Sequence, residues 1–493
     1  MSEDVIDRLR ANLSERSGER GIEFEGRWIS WGEVARCGEA VVAQLDAAGC
    51  PPSAKVGIII RNRLAHAAAV VGLLAHRRSI SFVYPFLPAG TIADNVEALG
   101  AAAIVADTQD WPAFHAAVAQ AGSAGVALGG IYEEPRLVEG LERCTRTRFD
   151  GALPDGGIEV LSSGTTGTPK RIPMALKLLE RAVMSAPGAE QGRAPAVQIN
   201  IWPLGGVGGV CLLTGAAVNG TPLVLMERFT VEGLVDALRR HRPETLGLNP
   251  TAIAMMMDAD VAPEDMASVK SISGGSAYLD PELQERFEQR YGLPILWGMG
   301  ATEFCGTIVR WTPQMRAEMG DRKRGSTGLP MPGVDIRAVD TDTGTAVGAG
   351  EEGLMEVHCP SVRPDWVRTT DLIMIDEDGY IFHRGRHDGA IVRGGFKILP
   401  ERVVDVLRQH PAVVDASVVG MPDARLGAVP VAAVELSRSA QGVDEQTLIA
   451  HLRETLPPTH IPREIRIVDA LPRTPSLKVN LNDVKRMFET QTA

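Results

Sequence analysis

The 493-residue chain has no surplus of basic residues: 50 Lys and Arg face 62 Asp and Glu, a net charge of -12. A protein that binds nucleic acid broadly needs a basic face, so that class is set aside. Anionic nucleotides remain open, because local sites and a metal ion can hold them. Cysteine is sparse, with six residues at 37, 50, 144, 211, 305 and 359 and no paired spacing. This argues against a zinc site and a disulfide framework, and fits a reducing compartment. Long apolar runs are missing too. The longest, Leu64 to Ala75, contains His66 and is too short to span a bilayer. The start, Met1 to Asp7, is acidic and lacks a signal peptide's apolar core. A soluble cytoplasmic protein without a membrane span is expected. There is no internal repeat and no Walker A loop.

What is present is an ordinary globular composition, 44% hydrophobic and 23% charged. The length exceeds one typical core, so two or more domains are expected. Gly21 to Phe24 and Arg27 to Trp31 read as a strand pair around a Gly26 turn, followed by a helix from about Gly32 to Ala48. Lys55 to Ile60 and Ala102 to Ala106 read as buried strands, and Ala65 to Ala75 as a helix. The alternation indicates an α/β layered domain with largely parallel strands.

The densest polar stretch is Leu161-Ser162-Ser163-Gly164-Thr165-Thr166-Gly167-Thr168-Pro169-Lys170. Its glycines let the backbone approach a ligand, and its N–H groups and hydroxyls can surround phosphate oxygens. Lys170 adds a point charge suited to a polyphosphate. A polar surface loop is the plain alternative, but apolar residues on both sides place the stretch between two buried strands.

Further on, Pro203-Leu204-Gly205-Gly206-Val207-Gly208-Gly209 implies close backbone approach, either to a ligand or in packing. Strands ending in Leu248-Asn249, in Ser273-Gly274-Gly275-Ser276 and in Gly298-Met299-Gly300 put small or polar residues at carboxyl ends, where open α/β sheets bind ligands. From Gly325 a β-rich region follows. Within it, Gly348 to Gly353 matches the dinucleotide fingerprint but leads into a strand and carries two carboxylates, so a hairpin turn is the reading. Arg384 to Gly389 reads as a boundary, giving domains 1–386 and 387–493, the second a compact α+β unit.

Laid in order, these stretches resemble the adenylate-forming superfamily of acyl-CoA synthetases, amino-acid adenylation domains and firefly-type luciferases. The resemblance rests on Ser163 to Lys170, Thr302-Glu303, Thr369-Thr370-Asp371-Leu372, Gly385-Arg386-His387-Asp388 and Pro472 to Val479. It implies a large multi-subdomain N-terminal domain of layered, mostly parallel sheets with a β-rich region, and a small mobile α+β C-terminal domain. It implies an acid–CoA ligase that makes an acyl-adenylate from ATP, then a thioester. ATP, Mg2+ and coenzyme A are the implied cofactor and co-substrates.

By the same resemblance, Ser163, Gly164, Thr165, Thr166, Gly167 and Lys170 would hold the phosphates. Glu303 would hold the metal and Thr302 the α-phosphate. Gly274, Gly275, Ser276, Met299 and Gly300 would flank adenine, with Gly205, Gly206, Asn249, Ser273 and Gly298 lining the acid pocket. Asp371 and Arg386 would bind the ribose, and Lys478 would bridge carboxylate and α-phosphate. Asp388 would be the hinge, bringing Gly394, Gly395 and Lys397 to the thiol tunnel.

The chain also departs from the family pattern. Arg171 follows the loop lysine, Met299 stands for an aromatic residue, and Thr370 and Leu477 replace glycines. Gly205-Gly206 replaces Phe-His, which implies a pocket for a bulky aryl or alicyclic acid. A carrier-protein thiol as acceptor, or a nucleotide-binding regulatory protein without turnover, are the alternatives. A homodimer is possible on family grounds.

Overall fold

The computed structural model describes residues 4–85, 89–149, 151–161, 171–184, 196–275, 277, 279–301, 304, 306–393, 396–423, 425–437, 440, 442–474 and 477–489. These fall into two compact units, one running to Leu246 and the other from Gly247 onward.

In the first unit, Lys55–Ile59, Ser79–Val83, Ala103–Asp107 and Ala124–Leu128 are buried at every position. Such near-continuous burial marks parallel strands covered on both faces. They sit in a sheet ordered Arg136–Leu137, Ala124–Leu128, Ala103–Asp107, Lys55–Ile59, Ser79–Val83, Gly157–Leu161, Arg171–Ala175. Only the two outermost pairings are antiparallel. The helix Leu64–Ala75 is buried along its whole length. It meets the helix Trp31–Ala47 backbone to backbone: a Cβ added at Gly72 would lie 2.4 Å from Gly38 Cα. The expected strand pair forms as Arg20–Phe24 and Arg27–Ser30, and Ser30 and Glu33 build a capping box that starts the next helix.

The unit boundary falls inside the strand Thr245–Leu248. Ser271–Gly274 and Ile295–Ala301 run parallel, and Gly306–Arg310 returns antiparallel. The β-rich region is an antiparallel meander of Asp335–Val339, Glu352–Cys359, Arg363–Ile375 and Ile381–Arg386. Gly348 to Gly353 is the turn leading into Glu352–Cys359, where Gly348 N–H donates to Glu351 Oε2 at 2.9 Å. The dinucleotide reading fails there, as the carboxylates require.

The last part of the chain has its own core of Val403, Leu407, Val418, Val434, Leu448, Leu452 and Ile465. It joins the helices Pro400–Gln409 and Glu445–Thr455 to the long hairpin Val413–Asp423/Gly427–Leu436. Among the described residues, no helix is long and apolar enough to cross a membrane.

Candidate active site

The glycine-threonine stretch Ser163 to Lys170 lies outside the described residues, but its anchors do not. Gly157–Leu161 leads in, Arg171–Ala175 leads out, and the two pair antiparallel with Leu161 opposite Arg171. Residues 157–160 of the incoming strand are buried as expected. The outgoing one is a sheet edge on which Met174 alone is buried. Arg171, which stands where the family has glycine, is clamped. Its guanidinium donates to Ser81 Oγ at 3.0 Å, to the Phe82 carbonyl at 3.2 Å and to Asn95 Oδ1 at 2.9 Å. The arginine therefore ties the loop's exit to the carboxyl end of the strand Ser79–Val83.

The Pro203–Gly209 stretch begins the helix Val207–Asn219, with Gly206 at its N-cap. One residue holds its approach. The Asn62 carboxamide donates to the carbonyls of Trp202 and Met226 at 2.9 and 3.0 Å, and accepts from Leu204 N–H at 2.8 Å. The glycines serve packing in two places. A Cβ at Gly209 would lie 2.1 Å from the Pro203 carbonyl oxygen. One at Gly205 would lie 2.7 Å from Tyr84 Cε1 and 2.8 Å from Ile60 Cγ2. Gly206 has room, its nearest neighbours being Pro203 O at 3.5 Å and the Tyr84 hydroxyl at 3.9 Å. The expectation of lost bulk needs correction at 205, where Tyr84 and Ile60 fill the space.

In the second unit, the glycines at the strand ends permit close approach within the sheet. A Cβ at Gly274 would be 2.2 Å from the Leu248 carbonyl oxygen, one at Gly275 2.8 Å from Gly298 O, and one at Gly300 2.3 Å from Gly306 O. Gly298 pairs with Arg310 and Met299 with Val309. Met299 packs partly against the core of the β-rich region. Asn249 is buried, and its side chain caps the helix Pro250–Asp258 by accepting from Ala252 N–H at 2.7 Å. Ser273 is exposed at its strand end.

Asp371 and Arg386 lie directly opposite one another on neighbouring antiparallel strands. Thr370, the other lost glycine, is an exposed residue of the strand Arg363–Ile375 and requires no special backbone. Sequence reasoning missed His383, whose Nε2 is 3.3 Å from Asp371 Oδ1. Alternation gave no signal for it, since positions 383 and 386 are three apart; the register shift between Leu372 and Ile373 sets His383 opposite Ile373, on the face of Asp371. Burial, and the charge of Arg386, lower the pKa of Lys478 below the ordinary 10.5.

Leu477, just before the lysine, has φ +62, a left-handed conformation that glycine would adopt freely. Hydrogen bonds impose it. Leu477 N–H donates to Thr474 O at 2.8 Å and Thr474 N–H to Lys478 O at 2.7 Å. The Leu477 carbonyl accepts from Thr251 Oγ1 at 3.0 Å and from Arg473 at 3.4 Å. Arg473 also reaches Asp415 at 2.8 Å and Glu435 at 3.2 Å. Burial alone would raise the Asp415 pKa, but Arg408 and Arg473 more than offset it and hold the carboxyl below its usual range.

Asp388 sits in the single turn His387–Gly389 that follows the strand Ile381–Arg386. A cleft of about 410 Å³ nearby is lined by His383, Gly385, Glu401 and Asp405. Burial pushes Asp405 up to about 7 there, against the charge of Arg408. Thr302, Glu303, Ser276, Gly394 and Gly395 lie outside the described residues, as do the side chains of Lys397 and Asp388.

Residues 9–364 match the AMP-binding enzyme family, and residues 404–478 match the AMP-binding enzyme C-terminal domain. The chain belongs to the AMP-binding enzyme family. This AMP-binding enzyme is an acid–thiol ligase of the AMP-forming class, whose co-substrates are ATP with magnesium and coenzyme A. It is 28% identical over 502 residues to 4-coumarate–CoA ligase-like 9 of Oryza sativa subsp. japonica, covering 94% of this chain and 88% of that one. It is 32% identical over 340 residues to the sulfoacetate–CoA ligase of Cupriavidus necator, covering 64% of each. Its fold matches that of the anthranilate CoA ligase AuaEII in complex with anthranoyl-AMP, with a TM-score of 0.81 and 22% identity over 98% of this chain and 97% of that one.

Proposed function

We propose that this AMP-binding enzyme activates an aryl or alicyclic carboxylic acid and transfers it to coenzyme A. In the first step a carboxylate oxygen attacks the α-phosphorus of ATP, the bond to the β-phosphate breaks, and pyrophosphate leaves. In the second, the thiol sulfur attacks the acyl carbon, AMP leaves with the bonding electrons, and the thiol proton passes to solvent. Such chemistry needs positioning and charge neutralisation more than covalent groups.

The observation that carries the reading is the placement of Asp371 opposite Arg386 on neighbouring strands, with His383 Nε2 3.3 Å from Asp371 Oδ1. Asp371 accepts from the ribose hydroxyls, with His383 and Arg386 orienting it. Lys478 neutralises charge between the carboxylate and the α-phosphate. Ser163, Gly164, Thr165, Thr166, Gly167 and Lys170 cradle the phosphates, and Thr302 touches the α-phosphate. Glu303 would hold magnesium, a hard cation suited to a carboxylate, which would neutralise phosphate charge. Gly274, Gly275, Ser276, Met299 and Gly300 flank adenine, while Gly205, Gly206, Asn249, Ser273 and Gly298 bound the acyl group. Asp388 is the pivot between domains 1–386 and 387–493, and turning about it brings Gly394, Gly395 and Lys397 to the thiol. A cytoplasmic enzyme with ready access to ATP and coenzyme A fits this chemistry.

The acid class is supported by the absence of a side chain at Gly206, where even a Cβ would meet only ordinary contacts, and by the aryl acids in the names of two of the similar proteins. The sulfoacetate ligase is the counter-example that makes the assay necessary. Acid-dependent ATP–pyrophosphate exchange across benzoic, cyclohexanecarboxylic, short aliphatic and sulfonated acids tests the reading. Exchange is expected with the first two groups, followed by thioester formation on adding coenzyme A. Exchange confined to the small acids would overturn the acid class. Thioester formation only on a carrier protein would overturn the acceptor.

Lys478 must be protonated to act, so exchange is expected to decline on the alkaline side at a pH below 10.5. Arg386→Gln removes a repelling charge and should move that limb to higher pH, while Lys478→Ala should cut exchange at least about a hundredfold.

A further inference from the structure

Glycines at 205 and 206 leave no side chain on that part of the loop, yet the space beside 205 is occupied. Tyr84 follows the strand Ser79–Val83 and places its ring edge 2.7 Å from where a Cβ at 205 would stand. Its hydroxyl lies 3.9 Å from the corresponding point at 206. Both walls of this slot are held. On one side Arg171 grips Ser81 and the Phe82 carbonyl, and Ile60 N–H donates to the Val83 carbonyl at 3.0 Å. On the other, Asn62 fixes Trp202 and Leu204.

We infer that Tyr84 is a specificity-determining residue for the acid, filling from a neighbouring strand end the volume that Gly205 leaves and turning its hydroxyl toward Gly206. This rests on the proposed reading of Gly205 and Gly206 as part of the acid pocket. A side chain at 205 would be anchored on the loop itself, whereas Tyr84 is anchored on the sheet and bounds the pocket from its base. Burial pushes the phenol up to about 12, so it stays neutral across the working range. The pocket then has room at 206 bounded by Pro203 O and the Tyr84 hydroxyl, and is closed at 205, a shape for a flat or compact ring and against a ring with a long substituent.

The test compares kcat/KM for benzoate and cyclohexanecarboxylate with their 4-butyl derivatives, in wild type, Tyr84→Ala, Tyr84→Leu and Tyr84→Phe. Tyr84→Ala should raise the butyl-to-parent ratio at least about tenfold, the scale on which pockets discriminate single methylenes. Tyr84→Phe keeps the ring and should leave that ratio within about twofold. Tyr84→Leu carries the test if the alanine variant fails to fold, and should raise the ratio in the same direction. A loss shared equally by parent and butyl acids would make Tyr84 a packing residue and overturn the inference, while leaving the ligase reading intact. A wild-type enzyme that turns over none of these acids would overturn the acid reading and the inference with it.

Discussion

The loops at 203–209 and 472–479 solve opposite problems with glycine. In the first, glycine is demanded by space: a methyl at 209 would sit 2.1 Å from the Pro203 carbonyl oxygen, and the backbone cannot yield without releasing the Asn62 clasp. In the second, the conformation that favours glycine is present at φ +62, yet the residue is Leu477. A non-glycine residue held there costs on the order of 1 kcal/mol or more. Two backbone hydrogen bonds and a carbonyl shared by Thr251 and Arg473 hold it in place. Close packing admits no substitute for a missing side chain, whereas a polar network can impose a backbone angle on a residue that disfavours it.

The comparison breaks first at Gly209. Gly209→Ala should destabilise the protein by about 3 kcal/mol, because overpacking against backbone has no soft neighbour to displace. Thermal unfolding checks this, and an unchanged midpoint would show that the loop can yield after all. At the other loop, Arg473→Ala removes a guanidinium from Asp415, Glu435, Thr251 and Leu477 together. A loss of about 2 kcal/mol is expected, short of the full penalty for an unpaired buried carboxylate because Arg408 still reaches Asp415 at 2.6 Å. Adenylate formation should fall further than stability alone explains, since the presentation of Lys478 depends on this hairpin. Equal losses in the two assays would separate the hairpin from Lys478. The smallest effect belongs to Leu477→Gly, which relieves strain while adding unfolded-state entropy. Its net change should stay within about 1 kcal/mol, with exchange activity nearly unaltered. A large loss would mean that the leucine side chain, not the hydrogen bonds, sets the turn.

The ordered motifs carried the family resemblance from which the site was read. Asp371 and Arg386 were named from the family resemblance and prove to be cross-strand neighbours. The strands flanking the Ser163–Lys170 stretch were placed by their apolar runs and by the turn residues between them. Rejecting the fingerprint at Gly348–Gly353 followed from its two carboxylates and the strand behind it. Tyr84, His383, Arg171 and Arg473 carried no comparable signal. Each acts through a partner distant in the chain, and no periodicity in the sequence marks such a pair.

The sequence by itself determined the layered α/β class, the helix and strand periods and the family, because local propensity and motif order are properties of neighbours along the chain. Tertiary structure alone decided what fills the space at Gly205, how Leu477 is held left-handed, and why the Lys478 pKa falls. Each depends on side chains brought together from separate elements, where steric exclusion, hydrogen bonding and desolvation act across space rather than along the backbone.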